Sequence, residues 1–211
     1  MSTKQHHAEQ QRQYNARQEL QETIARDDAR KAKRHLAIRV ASAAAGIVAI
    51  GLVAFGLWSA QPTNVSGSSQ APAFTLKTTA GTTVSLSEYR GKAVILYFNE
   101  GAGCGACTQQ MASIEKNAGF AQAGITVLPI VMNTAAQIKP DLVQFGVRTP
   151  YLLDDGTVSK AYGTLGKGMH EGLPGHGFVL IDANGVQRWQ GDYPSMWLDP
   201  ATLLQEAKNH L

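Results

Sequence analysis

The chain has 211 residues, of which 44% are hydrophobic, 17% charged and 7% aromatic. That is enough for one or two domains with a buried core, and 21 Gly and 8 Pro exclude collagen-like, low-complexity and wholly disordered classes. The net charge of +3 sits at one end: residues 1–39 carry nine Lys/Arg against five Asp/Glu, and residues 61–211 carry ten against eleven. The part after residue 60 therefore has no basic footprint for a phosphate backbone, and nucleic acid is not an expected partner.

Residues 1–39 form a polar, basic, Gln-rich tail whose only helical apolar pair is Leu20 and Ile24. It is expected either as disorder or as a solvated helix running into the next segment. His6 and His7 in this tail read as solvated side chains rather than as a metal site. Residues 40–60 (VASAAAGIVAIGLVAFGLWSA) contain no charge and no proline. As a helix they span about 31 Å at 1.5 Å per residue, which matches a bilayer core of roughly 30 Å. Arg30, Lys31, Lys33, Arg34 and Arg39 precede the run, and the first charge after it is Lys77. The positive-inside tendency then keeps the amino terminus in the cytoplasm and exports the remainder, with Trp58 as an outer interfacial anchor. A cleaved signal peptide fits less well, because cleavage after Ala60 puts Trp58 where a small side chain is wanted. The expected organisation is a cytoplasmic tail (1–39), a transmembrane helix (40–60) in contact with lipid, a flexible linker (61–70, QPTNVSGSSQ) and an extracytoplasmic domain (71–211), as a single-pass protein of the cell membrane.

Within 71–211, short β-rich runs alternate with helical stretches. Residues 74–76 and 82–86 read as a hairpin around Ala80-Gly81. The apolar runs 93–98 (AVILYF) and 125–131 (ITVLPIV) read as strands buried on both faces. Helices are expected from the cysteines to about residue 117, over 135–145, and for one or two turns over 157–162, with a short strand at 151–153. Residues 177–181 and 186–190 flank Asp-Ala-Asn-Gly and read as an antiparallel hairpin. Asp199-Pro200 provides a cap followed by proline in the first helical turn, opening a last helix to His210. The alternation implies a three-layer α/β/α domain. For Trp189 and residues 193–197, the spacing does not decide between core and surface.

The chemistry is concentrated in Gly103-Cys104-Gly105-Ala106-Cys107, directly after a buried strand and at the start of a helix; these are the only two cysteines. In an α/β setting this spacing favours a redox pair. Free backbone N–H groups and the helix dipole stabilise a thiolate on the first cysteine, and the thiolate is the nucleophile. Cys104 is thus expected to attack a substrate disulfide, and Cys107, one turn deeper, to resolve the mixed disulfide as a redox-active Cys104–Cys107 bond. The competing readings are weaker. A ring this small constrains little chain entropy. A structural zinc site needs four ligands. Attachment of c-type haem needs His where Thr108 stands, and the flanking glycines give inert buried thiols little to pack against.

These stretches resemble a known family. AFTL followed by VSLSEYRGKAVILYF, then CGAC, LLDDGTVSKAYG and GFVLIDANG, occur in the order found in membrane-anchored thioredoxin-like thiol–disulfide oxidoreductases and the wider redoxin/peroxiredoxin group. The resemblance implies a thioredoxin fold, a central mixed sheet flanked by helices and preceded here by one transmembrane helix. It also implies a dithiol at the domain edge, no cofactor beyond the cysteines, and a membrane electron-relay protein as partner.

Several positions depart from the pattern. Gly103 and Ala106 replace the usual Trp and Pro, and Tyr97 replaces a buried acid. Glu100 is the nearest carboxylate and a candidate for proton transfer. The position of the family's cis-proline opposite the dithiol falls on His176, with Pro174 two residues earlier; either faces the cysteines, and His176 is a candidate to stabilise a thiolate or move protons. His170 lies in the Gly-rich 163–177 loop and is expected to be exposed. The peroxidase pattern P-x-x-x-T-x-x-C asks for Pro at 97 and Thr at 101, where Tyr97 and Gly101 stand. The expected function is therefore exchange of electrons with protein thiols and disulfides of exported or membrane proteins, with a lean towards reduction because no basic residue separates the cysteines. The alternative is a soft-metal carrier of copper or a heavy metal on the same cysteines, with His176 or His170 assisting. Thiol peroxidase activity ranks third.

Overall fold

The structure, a computed structural model, describes residues 3–59, 61–168 and 170–211. It divides into two compact units, residues 1–58 and 59–211. The first is one helix, α1 (Thr3–Ser59), so the tail takes the helical of its two expected forms. Its segment Lys33–Trp58 is long and apolar enough to cross a membrane and is not buried within the protein. The side chains of His6, His7, Leu20 and Ile24 lie outside the described ones.

The second unit is built on an eight-stranded sheet of order β1-β8-β7-β4-β5-β6-β2-β3. Strands β2 (Thr75–Thr78) and β3 (Thr83–Ser85) form the expected hairpin. The central strands β4 (Ala93–Phe98) and β5 (Ile125–Val131) run parallel, from Ala93 opposite Ile125 to Phe98 opposite Ile130. Their near-continuous apolar sequence matches burial on both faces. Between them lie α2 (Gly105–Lys116) and the short α3 (Gly119–Gln122), and α4 (Ala135–Phe145) leads on to β6 (Leu152–Leu153). α4 starts with a capping box in which Thr134 and Gln137 satisfy each other's backbone amides, and Gly146 in the left-handed region ends it. After α5 (Thr157–Ala161), β7 (Gly177–Ile181) and β8 (Gln187–Asp192) form an antiparallel pair, and α6 (Pro200–Asn209) opens on the Asp199 cap.

Alternation along β4 and β7 separates two cores. Ile95, Tyr97, Phe178 and Leu180 face Met111 and Ile114 of α2, Ile138 and Leu142 of α4, and Leu203 of α6. Val94, Leu96, Phe98, Val179 and Ile181 face Phe74, Leu86, Val158 and Tyr162 on the other side. Trp189 and Tyr193 belong to the first core, whereas Trp197 remains 41% exposed.

One difference concerns the stretch read as a flexible linker. Residues Thr63–Ser66 within it form β1, paired antiparallel with β8 from Thr63 opposite Asp192 to Ser66 opposite Trp189. Gln70 pairs with Val186. All four β1 side chains are exposed, so this edge strand is held by main-chain pairing and leaves no apolar pattern to read.

Buried Asp154 fixes the start of α5. Its Oδ1 accepts from Val158 N at 3.0 Å, and its Oδ2 accepts from Ser159 N at 2.8 Å and Ser159 Oγ at 2.7 Å. Asp154→Ala would orphan three buried donors and is expected to cost about 2–4 kcal/mol, read as a lower denaturant midpoint at unchanged m.

Candidate active site

Cys104 is the N-cap of α2, half-buried, and Cys107 is completely buried one turn later. The two are joined as a disulfide with their Cα atoms 5.3 Å apart. Cys104 Sγ accepts from Cys107 N at 3.3 Å, so a first-turn amide of the helix points at the sulfur expected to carry charge. Gly105 brings the helix start against Phe145 of α4; a Cβ there would lie 3.2 Å from the Phe145 ring.

The loop from β4 to Cys104 is fastened amide by amide. Gly101 N donates to Asn99 Oδ1 at 3.1 Å, Ala102 N to Asn133 Oδ1 at 2.8 Å and Gly103 N to Asp141 Oδ2 at 2.9 Å. Cys104 N closes the turn onto Gly101 O at 3.0 Å. Gly101 has φ +77°, and a Cβ there would collide with Asn133. Asn133 and Asp141 lie 31 and 38 residues from the amides they accept, so no local pattern announces them.

Beneath α2, Tyr97 is fully buried, with its hydroxyl 3.0 Å from Cys107 O and 3.2 Å from His176 Nδ1. The carbonyl can only accept, so Tyr97 donates to it and a neutral His176 donates from Nδ1 to the Tyr97 oxygen. Burial pushes the Tyr97 phenol well above its usual range and holds His176 down at about 3. Tyr97 also stacks on Phe178, ring centroids 4.7 Å apart.

Of the two residues expected opposite the dithiol, His176 is the one linked to the α2 helix, through Tyr97. Pro174 is buried in a bridge with Leu165, and no cis peptide occurs among the described residues. Glu100, the candidate for proton transfer, is buried. Only 3% exposed, it binds His170 through Oε2 to Nδ1 at 2.9 Å and accepts from His170 N at 3.3 Å, tying the 163–177 loop to the dithiol loop. The His170 side chain is exposed, as expected. Among the described residues no three His, Cys, Asp or Glu side chains converge in a way that would hold a metal. The carrier reading thus keeps only the two cysteines, without help from His176 or His170.

Because His176 is neutral in the fold, acid is costly to it. An unfolded histidine takes up a proton below pH about 6.5, while the folded one does so only near 3. Stability from this residue is present above pH 6.5 and is lost as pH falls towards 3. The expected loss is roughly 2 kcal/mol between pH 7 and 5, measured by denaturant titration, and His176→Gln should flatten that slope.

Comparison with known proteins places this arrangement. The model of the AhpC/TSA family matches residues 68–190. The chain belongs to the AhpC/TSA family. A Mycobacterium tuberculosis protein described as a peroxiredoxin is 33% identical over 129 residues, covering 58% of this chain and 82% of that protein. A chloroplastic peroxiredoxin Q of Suaeda salsa is 35% identical over 129 residues, covering 59% of this chain and 58% of its own. A solved structure from Bacteroides thetaiotaomicron, described as a protein disulfide isomerase, superposes with a TM-score of 0.51 at 25% identity, covering 70% of this chain and 94% of that one. As an AhpC/TSA member with a thioredoxin-like fold, the chain is a thiol-based oxidoreductase enzyme whose redox chemistry resides in cysteine sulfur.

Proposed function

We propose that the chain is a membrane-tethered thiol–disulfide oxidoreductase with Cys104 as nucleophile and Cys107 as resolving thiol. The observation that carries this reading is the unequal setting of the linked sulfurs: Cys104 half-exposed at a helix cap, Cys107 fully buried behind it. In the reducing direction, Cys104 thiolate attacks one sulfur of a substrate disulfide. A Cys104–substrate bond forms, the substrate S–S bond breaks, and the released thiolate takes a proton from solvent. Cys107 then loses its proton and attacks Cys104 Sγ, forming the Cys104–Cys107 bond and releasing the second substrate thiol. Two electrons pass from the dithiol to the substrate. The substrates are protein disulfides of exported or membrane proteins, and a thioredoxin-type or membrane relay protein restores the dithiol. Residues 40–60 span the bilayer, with the amino terminus cytoplasmic and residues 71–211 outside.

Peroxide reduction is the second reading, and the relatives described as peroxiredoxins favour it. It uses the same two sulfurs: a thiolate attacks one peroxide oxygen, the O–O bond breaks and the other oxygen leaves as water once protonated, and the second thiol then displaces the sulfenic hydroxyl as a further water when the disulfide closes. The spacing P-x-x-x-T-x-x-C places Tyr97 and Gly101 ahead of Cys104; counted back from Cys107 it places Glu100 and Cys104. Neither count supplies the proline and the hydroxyl, whereas the CxxC pair and the likeness to a described disulfide isomerase support exchange.

The deciding experiment gives the full chain in detergent, with dithiothreitol, either insulin or hydrogen peroxide. Faster insulin reduction than in the Cys104→Ser control, with peroxide loss at the control rate, is expected. Peroxide consumption without insulin reduction reverses the order of the two readings.

A further inference from the structure

The dithiol loop carries a charge that its fastening does not require. Gly101, Ala102 and Gly103 each donate a backbone N–H to a side chain, and two of the three acceptors are neutral amides, Asn99 and Asn133. The third is the carboxylate of Asp141, half-buried on α4, at 2.9 Å from Gly103 N. An amide oxygen at 141 would accept the same hydrogen bond. Gly103 is the immediate neighbour of Cys104, with Cα atoms about 3.8 Å apart across a trans peptide. The carboxylate therefore sits on the backbone amide that immediately precedes Cys104, whose sulfur accepts from Cys107 N.

We infer that Asp141 is a positioning residue that also weakens ionisation of Cys104, and so biases the pair towards giving electrons. This rests on the exchange reading above. The helix terminus favours a thiolate and the carboxylate opposes it. A thiolate stabilised in the reduced state makes a disulfide a strong oxidant, and one stabilised less leaves the pair more reducing. The other titratable groups at this end of the sheet leave Asp141 in place as the opposing charge. Tyr97 and His176 are buried and neutral, and Tyr151 is a phenol pushed up by burial first and then by Glu115 and Asp141; the Glu115 carboxylate accepts from Arg148 N and Thr149 N. Glu100 is held by His170, and Lys139 is exposed on the same helix as Asp141.

The test compares the full-length wild type with Asp141→Asn, which keeps the acceptor and removes the charge, and Asp141→Glu, which keeps both. Two readouts are taken: the rate of iodoacetamide alkylation of Cys104 against pH, and the equilibrium of Cys104–Cys107 with glutathione at pH 8. Asp141→Asn is expected to alkylate about threefold faster at pH 6.5 and to shift the glutathione equilibrium at least twofold towards the dithiol, with Asp141→Glu remaining near wild type. Equal rates and equilibria in wild type and Asp141→Asn overturn the inference, as does failure of Asp141→Asn to fold, since the amide would then not serve where Asn99 and Asn133 do. If wild type itself forms no reversible disulfide with glutathione, the exchange reading fails; the alkylation profile still decides whether the charge acts on Cys104.

Discussion

Replacing Cys107 by Ser is expected to stop turnover and leave a covalent complex. Cys104 remains at the helix cap with the amide of residue 107 directed at its sulfur, so the first attack proceeds. The resolving sulfur is gone, and the mixed disulfide between Cys104 and substrate accumulates. Multiple-turnover insulin reduction should fall to the rate without the protein, because residues that act as one catalytic unit fail together. Non-reducing electrophoresis should show a band containing one copy of the chain and one insulin chain. Cys104→Ser should lose turnover equally and form no such band, because its remaining thiol at Cys107 is fully buried. The contrast between the variants separates a nucleophile–resolver pair from two equivalent thiols; adducts of equal yield from both would contradict the assigned roles.

Phe178→Ala should produce a large loss of stability. Phe178 is fully buried on β7, stacked on Tyr97 at 4.7 Å and edge-on to His176 at 5.6 Å and Tyr193 at 5.9 Å. Removing the ring costs its transfer energy and leaves a cavity under the Tyr97–His176 pair, for a loss of about 3–5 kcal/mol. That is a fifth or more of the roughly 5–15 kcal/mol that stabilises an ordinary domain. Phe178→Leu, which retains most of the volume, should cost less than half as much. A midpoint shift in guanidinium at constant m measures both.

The parts of this fold readable in sequence are those whose signal is local. Strands 93–98, 125–131 and 177–181 fall on their apolar runs, and helix 135–145 lies where expected, its ends fixed by the local Thr134–Gln137 box and Gly146. β8 runs Gln187–Asp192 and Val186 just before it bridges Gln70 instead, while Asp182 Oδ1 accepts from both Asn184 N and Val186 N in the turn. β1 is silent in the sequence because a polar edge strand is specified by its neighbour's backbone. The same division holds at the site. Cys104 and Cys107 announce themselves by spacing, and His176 was within reach because its position relative to β7 is local. Asn133 and Asp141 serve the dithiol loop from other elements, and no property of those residues in sequence marks them. Glu100 was visible as a carboxylate, but its burial against a loop 70 residues away was not.

The account depends most on the difference between the two sulfurs, and one labelling experiment measures it. The fully reduced full-length chain is treated at pH 7 with less than one equivalent of iodoacetamide, unfolded, capped with a second reagent and mapped by mass spectrometry. The account predicts that the first label lies on Cys104 and that Cys107 carries only the second. A first label on Cys107, or one divided evenly between the two, would contradict it.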